Sequence, residues 1–291
     1  MHSYLRAIGF SEINNETDME KLLDEVFHDY TEREIAKEEN KTVFIQMKKE
    51  YATDMGIAIC GSLDENGFHR QYYFPYFNGA KVTPVEDVTL ERRVDGVSYA
   101  GVCEDCHIGV SIIFYLQNAA EYQREGVLNK IFKRKVTATL AGLSSNGMVL
   151  FPIQKDTHQL NQQHITTEKH SKLMSAAKNG DEEAIESLTI EDMDTYSMIS
   201  RRMYKEDVYS IVDTFFMPYG IECDQYQIMG NIEYCKKVEN SSTGEKIYLM
   251  NIECNDLLFD VCINEKDLLG EPEVGRRFKG NIWLQGKIQF E

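Results

Sequence analysis

The chain has 291 residues, of which 42% are hydrophobic, 11% aromatic and 27% charged, with only 5 prolines. That is enough apolar material for a sizeable core, so a disordered or collagen-like chain is excluded, and the length favours two domains over one. Lys+Arg 31 against Asp+Glu 48 gives a net charge of −17 and a pI near 4.9, which argues against a general electrostatic grip on nucleic acid or anionic lipid.

The opening segment, residues 1–10, is too short and too quickly interrupted to read as a signal peptide. The longest nearly apolar run, 108–116, is about half of the ~20 residues that a membrane span needs. The 7 cysteines, an odd count scattered along the chain, read as reduced thiols and not as a disulfide framework. The expectation is a cytoplasmic protein with no membrane contact.

Residues 1–155 alternate between helix and strand signals. Thr17-Asp18-Met19-Glu20 reads as a capping box opening a helix that runs to about Glu38, with Met19, Leu22, Leu23, Val26 and Phe27 on its apolar face. Strand-like runs follow at 42–47, 55–61 and 68–77, with Pro75 marking an edge or a bulge. Runs at 88–94, 97–102 and 108–116 extend the sheet, the first two joined by an Asp95-Gly96 turn. Asn118 then caps a second helix bearing Tyr122, Leu128, Ile131 and Phe132. Runs at 135–143 and 148–153 flank Ser144-Ser145-Asn146-Gly147, a hairpin signal. Strands in runs with two interposed helices predict a mainly antiparallel α+β domain over 1–155.

The polar stretch 154–170 reads as a linker, and 156–207 as a helical connector. Its helices are expected at 167–178, at 181–188, and from Thr189 onward with Met193, Tyr196, Ile199 and Met203, fitting a connector or dimerisation layer. Within 208–291, strand-like runs at 208–217, 226–235, 245–253, 257–263 and 280–290 fit a small five-stranded OB-like β-barrel. The only tryptophan, Trp283, lies in the last run, with Ile282, Leu284 and Ile288 placing apolar residues on both faces.

Several motifs invite chemistry. Cys103-Glu104-Asp105-Cys106-His107 spells the C-x-x-C-H of c-type haem attachment, but attachment needs export. A structural zinc would need a second ligand pair, and the other cysteines are scattered singles. No metal and no cofactor is therefore expected. His158, His164 and His170 recur every six residues, which is no helical face repeat, and fit a solvated linker. Gly142 to Gly147 misses the G-x-S-x-G elbow by one residue, and no phosphate loop, H-E-x-x-H or calcium loop occurs. Against the acidic background stand Arg92-Arg93 and a second cluster, Arg276, Arg277 and Lys279, close in sequence to Trp283. Charge, planarity and a rigid aromatic make Arg276, Arg277, Lys279 and Trp283 the candidate contacts for a ligand or partner. The plainer alternative puts Trp283 in the core and pairs the arginines with Glu271 and Glu273.

Three stretches carry a resemblance: Met1-His2-Ser3-Tyr4-Leu5-Arg6-Ala7-Ile8-Gly9-Phe10, Gly109-Val110-Ser111-Ile112-Ile113-Phe114-Tyr115-Leu116-Gln117-Asn118, and Pro218-Tyr219-Gly220-Ile221-Glu222-Cys223-Asp224. They resemble a bacterial family, a domain of unknown function of about this length, over the full chain. The resemblance implies no activity, no catalytic residue and no cofactor. The functional expectation is a non-enzymatic binding or assembly protein that engages a protein partner or a second copy of itself. The alternative is single-stranded nucleic acid held by the C-terminal barrel, which the acidic balance disfavours. A second alternative is an enzyme using Glu104, Asp105, Cys106 and His107.

Overall fold

The structure is a computed structural model and describes residues 2–37, 43–80, 83, 86–104, 111–129, 136–153, 169, 172–174, 176–177, 180–255 and 257–290. The sites 105–107, 158, 164 and 170, and most of the expected linker, lie outside the described residues. A 3-10 turn, Ser3–Ile8, precedes helix α1, Glu16–His28. The cap of α1 is Asn15, whose side-chain oxygen accepts from the Asp18 amide at 2.8 Å. The helix ends well short of Glu38, because Asp29 leaves helical geometry with φ −133°. Beyond it, Ala36 is buried while Ile35 is exposed, the alternation of a strand. Accordingly Glu32–Lys37 forms β1, antiparallel to β2, Val43–Ala52. With β3, Met55–Asp64, and β4, Gly67–Phe77, they make an antiparallel sheet ordered β1-β2-β3-β4. Pro75 lies on β4, the edge of that order, where a missing N–H is tolerated.

The second sheet collects strands from both ends of the chain. It contains β5, Glu86–Arg92, β6, Tyr99–Glu104, β7, Ser111–Leu116, and, after α2 at Ala119–Asn129, β8 at Val136–Leu150. Helices α3, Glu182–Arg202, and α4, Val208–Ile211, then lead to β9, Phe215–Pro218. Long antiparallel strands follow: β10, Gln225–Glu239, β11, Lys246–Cys254, β12, Leu257–Asn264, and, after the short β13 at Leu268–Leu269, β14 at Arg277–Phe290. Their order is β13-β8-β12-β11-β10-β14-β7-β6-β5, with β9 on β10 and an additional β8–β14 ladder. That last ladder turns β8, β12, β11, β10 and β14 into a ring of pairings. The mixed α+β class is as expected from the sequence. The boundary placed at 155 falls after β8, which itself pairs with β12 and β14 of the C-terminal segment.

Three local expectations are corrected. Ser144 to Gly147 makes no hairpin: β8 runs unbroken from Val136 to Leu150, opposite β14 along its whole length. The register shift opposite Asn281/Ile282 skips Ser145, so the turn signal encodes a bulge in a long strand. Gly147 is small for packing, since a Cβ there would meet the Phe278 ring at 2.5 Å. The second and third helices of the connector are one: Thr189 caps no new helix, its hydroxyl donating back to the Ile185 carbonyl at 2.8 Å while the helix continues. Within 208–217, expected as strand, Asp207 caps α4 by accepting from the Tyr209 amide at 2.8 Å, leaving only β9 extended.

Polar side chains tie the two sheets together across a continuous apolar cluster. Gln117 donates to the Phe77 carbonyl and to Gln285 Oε1, each at 2.7 Å, while Gln285 donates to the Pro75 carbonyl at 2.8 Å. The N-terminal strap is pinned as well. Asn240 donates to the Ile8 carbonyl at 2.8 Å, and Gly9 turns the chain with φ +90° where a side chain would strike Asn240. This anchoring carries His2 and Tyr4 onto Trp283 of β14.

Candidate functional site

Trp283 is 5% exposed on β14, directly opposite Gln225 of β10, and β7 brings Tyr115 alongside through the parallel Gln285–Tyr115 pairing. The strap lays Tyr4 over the indole in a stacked arrangement, ring centroids 5.6 Å apart, and His2 at 4.4 Å. Tyr115 meets it at 5.1 Å. Between these rings, the β5–β6 loop and the segment entering β10 open a cavity of about 340 Å³. Its polar lining comes from Arg93, Asp95 and Ser98 on the loop, from Glu222 and Asp224 before β10, and from Gln225 at its start.

The buried Asp224 carboxylate organises the cavity. Its Oδ2 accepts from Arg93 Nη1 at 2.5 Å and from Trp283 Nε1 at 3.0 Å, and its backbone carbonyl accepts from the Leu284 amide at 2.9 Å. The Arg93 guanidinium also lies 5.6 Å over the Tyr115 ring and 3.8 Å from Glu222. Burial alone would lower the Arg93 pKa, but the Asp224 charge and hydrogen bond outweigh it and raise it. Asp95 accepts from the Val97 and Ser98 amides and from the Ser98 hydroxyl. Burial opposes its ionisation, yet those donors hold its pKa below the usual carboxylate range.

The aromatic side is held in its uncharged forms. Burial pushes His2 down to about 4, against an opposing pull from Asp224, so its imidazole is uncharged at pH 7. His2 Nδ1 is buried and has no hydrogen-bond partner among the described residues. Burial, with help from Asp224, pushes Tyr4 up to about 12. Tyr115 rises too, again through burial. A base near 4 and phenols this high are poor proton carriers at pH 7. The arrangement is suited to holding a polar, planar group.

Of the four residues singled out in the sequence, the structure brings only Trp283 to this cavity. Arg277 is 3% exposed, and its guanidinium donates to the Phe151, Tyr209, Val212 and Asp213 carbonyls. Lys279 donates to the Tyr209 hydroxyl at 2.6 Å. Arg276 bonds the Glu271 carbonyl at 2.9 Å and pairs with Glu273 at 2.8 Å. Cys103 is buried on β6 and directs its thiol to the Ile112 carbonyl at 3.7 Å. No cluster of three His, Cys, Asp or Glu side chains that could hold a metal occurs among the described residues. Nor is any helix among them long and apolar enough to cross a membrane. His2, Tyr4, Tyr115, Glu222 and Asp224 were not legible as site residues. Arg93 and Asp95 left a trace, as half of a basic doublet and as a turn.

The fold and site define an α+β protein with two tied sheets and an aromatic, acid-lined cavity beside Trp283, between the N-terminal strap and the second sheet. Residues 5–286 match the family described as a domain of unknown function, E. rectale gene description (DUF3881), and the chain belongs to that family. No curated protein and no solved structure gives a significant match.

Proposed function

We propose that this chain is a cytoplasmic, non-enzymatic binding protein whose ligand site is the Trp283 cavity. The observation that carries the reading is convergence: five separate segments of the chain deliver aromatic faces and polar groups to one space of about 340 Å³. That volume falls in the range of small-molecule sites. The displaced His2, Tyr4 and Tyr115 favour recognition over proton transfer. Buried free thiols at Cys60, Cys254 and Cys262 support a reducing compartment. The ring of ladders β8-β12-β11-β10-β14 supports an OB-like reading of the closed strands, with β8 as the member that 208–217 was expected to supply. The test is a thermal-shift screen of fragments, with hits checked on Trp283 emission, which reports from the cavity alone because the chain has 1 tryptophan. Fragments that raise Tm and perturb the emission support the reading. It falls if no stabilising fragment touches the Trp283 signal.

Assembly is a second reading, favoured by α3. Ile185, Met193 and Tyr196 along that helix and Met203 at its C-terminal cap are all exposed, a stripe that a second copy or a protein partner would cover. Light scattering of the full chain tests it, and a monomer at every concentration rejects self-association. Single-stranded nucleic acid would need Arg276, Arg277 and Lys279 as phosphate contacts, and all three already hold internal partners.

A further inference from the structure

The geometry points to a small planar cation, an amidinium, guanidinium or protonated aromatic amine, as the ligand of the Trp283 cavity, bound through Glu222 and the aromatic walls. This rests on the reading of the cavity as the binding site and names the chemistry it would take.

Charge sets the sign. Among the described lining residues, Arg93 faces the three carboxylates Asp95, Glu222 and Asp224. An anion entering here would meet an excess of like charge. Two of the carboxylates are already engaged, Asp224 by Arg93 and Trp283, and Asp95 by the Val97 and Ser98 donors. Glu222 is different. Its side chain is 61% exposed, and its carboxylate's ion pair with Arg93 Nη2, at 3.8 Å, is beyond hydrogen-bond reach. The cavity therefore keeps an open acceptor, while its cation is committed to Asp224.

Shape and hydrogen bonding point the same way. The rings of Trp283, Tyr4 and Tyr115 line the cavity, and electron-rich rings attract a flat cation. The protein supplies its own precedent, since the Arg93 guanidinium already lies over the Tyr115 ring at 5.6 Å. A ligand rich in in-plane N–H groups satisfies the open Glu222 carboxylate.

The experiment titrates the full chain with benzamidinium, benzamide and benzoate, which share one ring and differ in charge, and follows Trp283 emission. The expected result is saturable binding of benzamidinium, at least about tenfold tighter than benzoate. Glu222→Gln should weaken benzamidinium several-fold and leave benzamide unchanged. Equal or tighter binding of benzoate, or a Glu222→Gln variant that binds benzamidinium as well as the parent, overturns the proposal. If benzamide alone binds, the cavity reading stands and the cation assignment falls. If none of the three alters the emission or Tm up to millimolar concentration, the cation assignment is overturned, and the fragment screen decides the cavity reading separately.

Discussion

Acidification is expected to loosen the strap over Trp283, and the amount follows from His2. Its pKa in the folded chain is about 4, against an ordinary 6.5 in water, because burial disfavours the charged ring. Above pH 6.5 the imidazole is neutral whether docked or free, so docking has its full stability. As pH falls below 6.5, a state with His2 in water takes up a proton that the docked state refuses until about pH 4. Docking is therefore weakened progressively across that window. The full gap is about 3 kcal/mol at 1.36 kcal/mol per pH unit, and about 2 kcal/mol of it is realised by pH 5. Urea unfolding followed by Trp283 emission at pH 7 and pH 5 measures the loss. His2→Gln, which cannot titrate, removes this contribution and leaves the other histidines in place. The parent should lose about 2 kcal/mol more than the variant between the two pH values. An identical pH dependence in both chains refutes a buried, neutral His2.

Four further outcomes are expected. Arg277→Ala should lower unfolding stability by about 2–4 kcal/mol, since it strips the charged donor from four carbonyls, and Arg277→Lys should recover little because an ammonium cannot reproduce the fork. Arg276→Ala, on an exposed pair with Glu273, should cost under about 1 kcal/mol in the same urea melts. Asp224→Asn keeps the shape but deprives Arg93 of its countercharge, so a loss of about 2–4 kcal/mol together with a shifted Trp283 emission is expected. Gly101→Ala would place a Cβ 2.0 Å from the buried Phe114 ring, and a fall in Tm of several degrees, with altered near-UV circular dichroism, is the outcome to look for.

Local pattern alone determined much of the framework. The strand-like runs of β3, β4 and β10 to β12 could be read because each depends on neighbours within a few residues, whereas the Asn118 side chain, read as a cap of α2, accepts instead from the Ile288 amide of β14. Pro75 marked its edge strand for the same reason, a donor missing from its own backbone. Tertiary structure overruled local signals where a distant strand offered more. Ser144-Ser145-Asn146-Gly147 has the chemistry of a turn, yet pairing with β14 along the whole of β8 satisfies more backbone groups than a hairpin there would. The basic cluster was visible as charge, but the fate of Arg277 was not. Only the fold decides that its donors meet four backbone carbonyls. The cavity was beyond local reading for the same reason. His2, Arg93, Tyr115, Asp224 and Trp283 lie far apart in the chain, and no periodicity links them. They meet because β14 pairs with both β7 and β10, and because Asn240 and Gly9 fold the strap back onto that sheet. Short-range chemistry sets which segments are strands and helices, while long-range pairing chooses which side chains share a space.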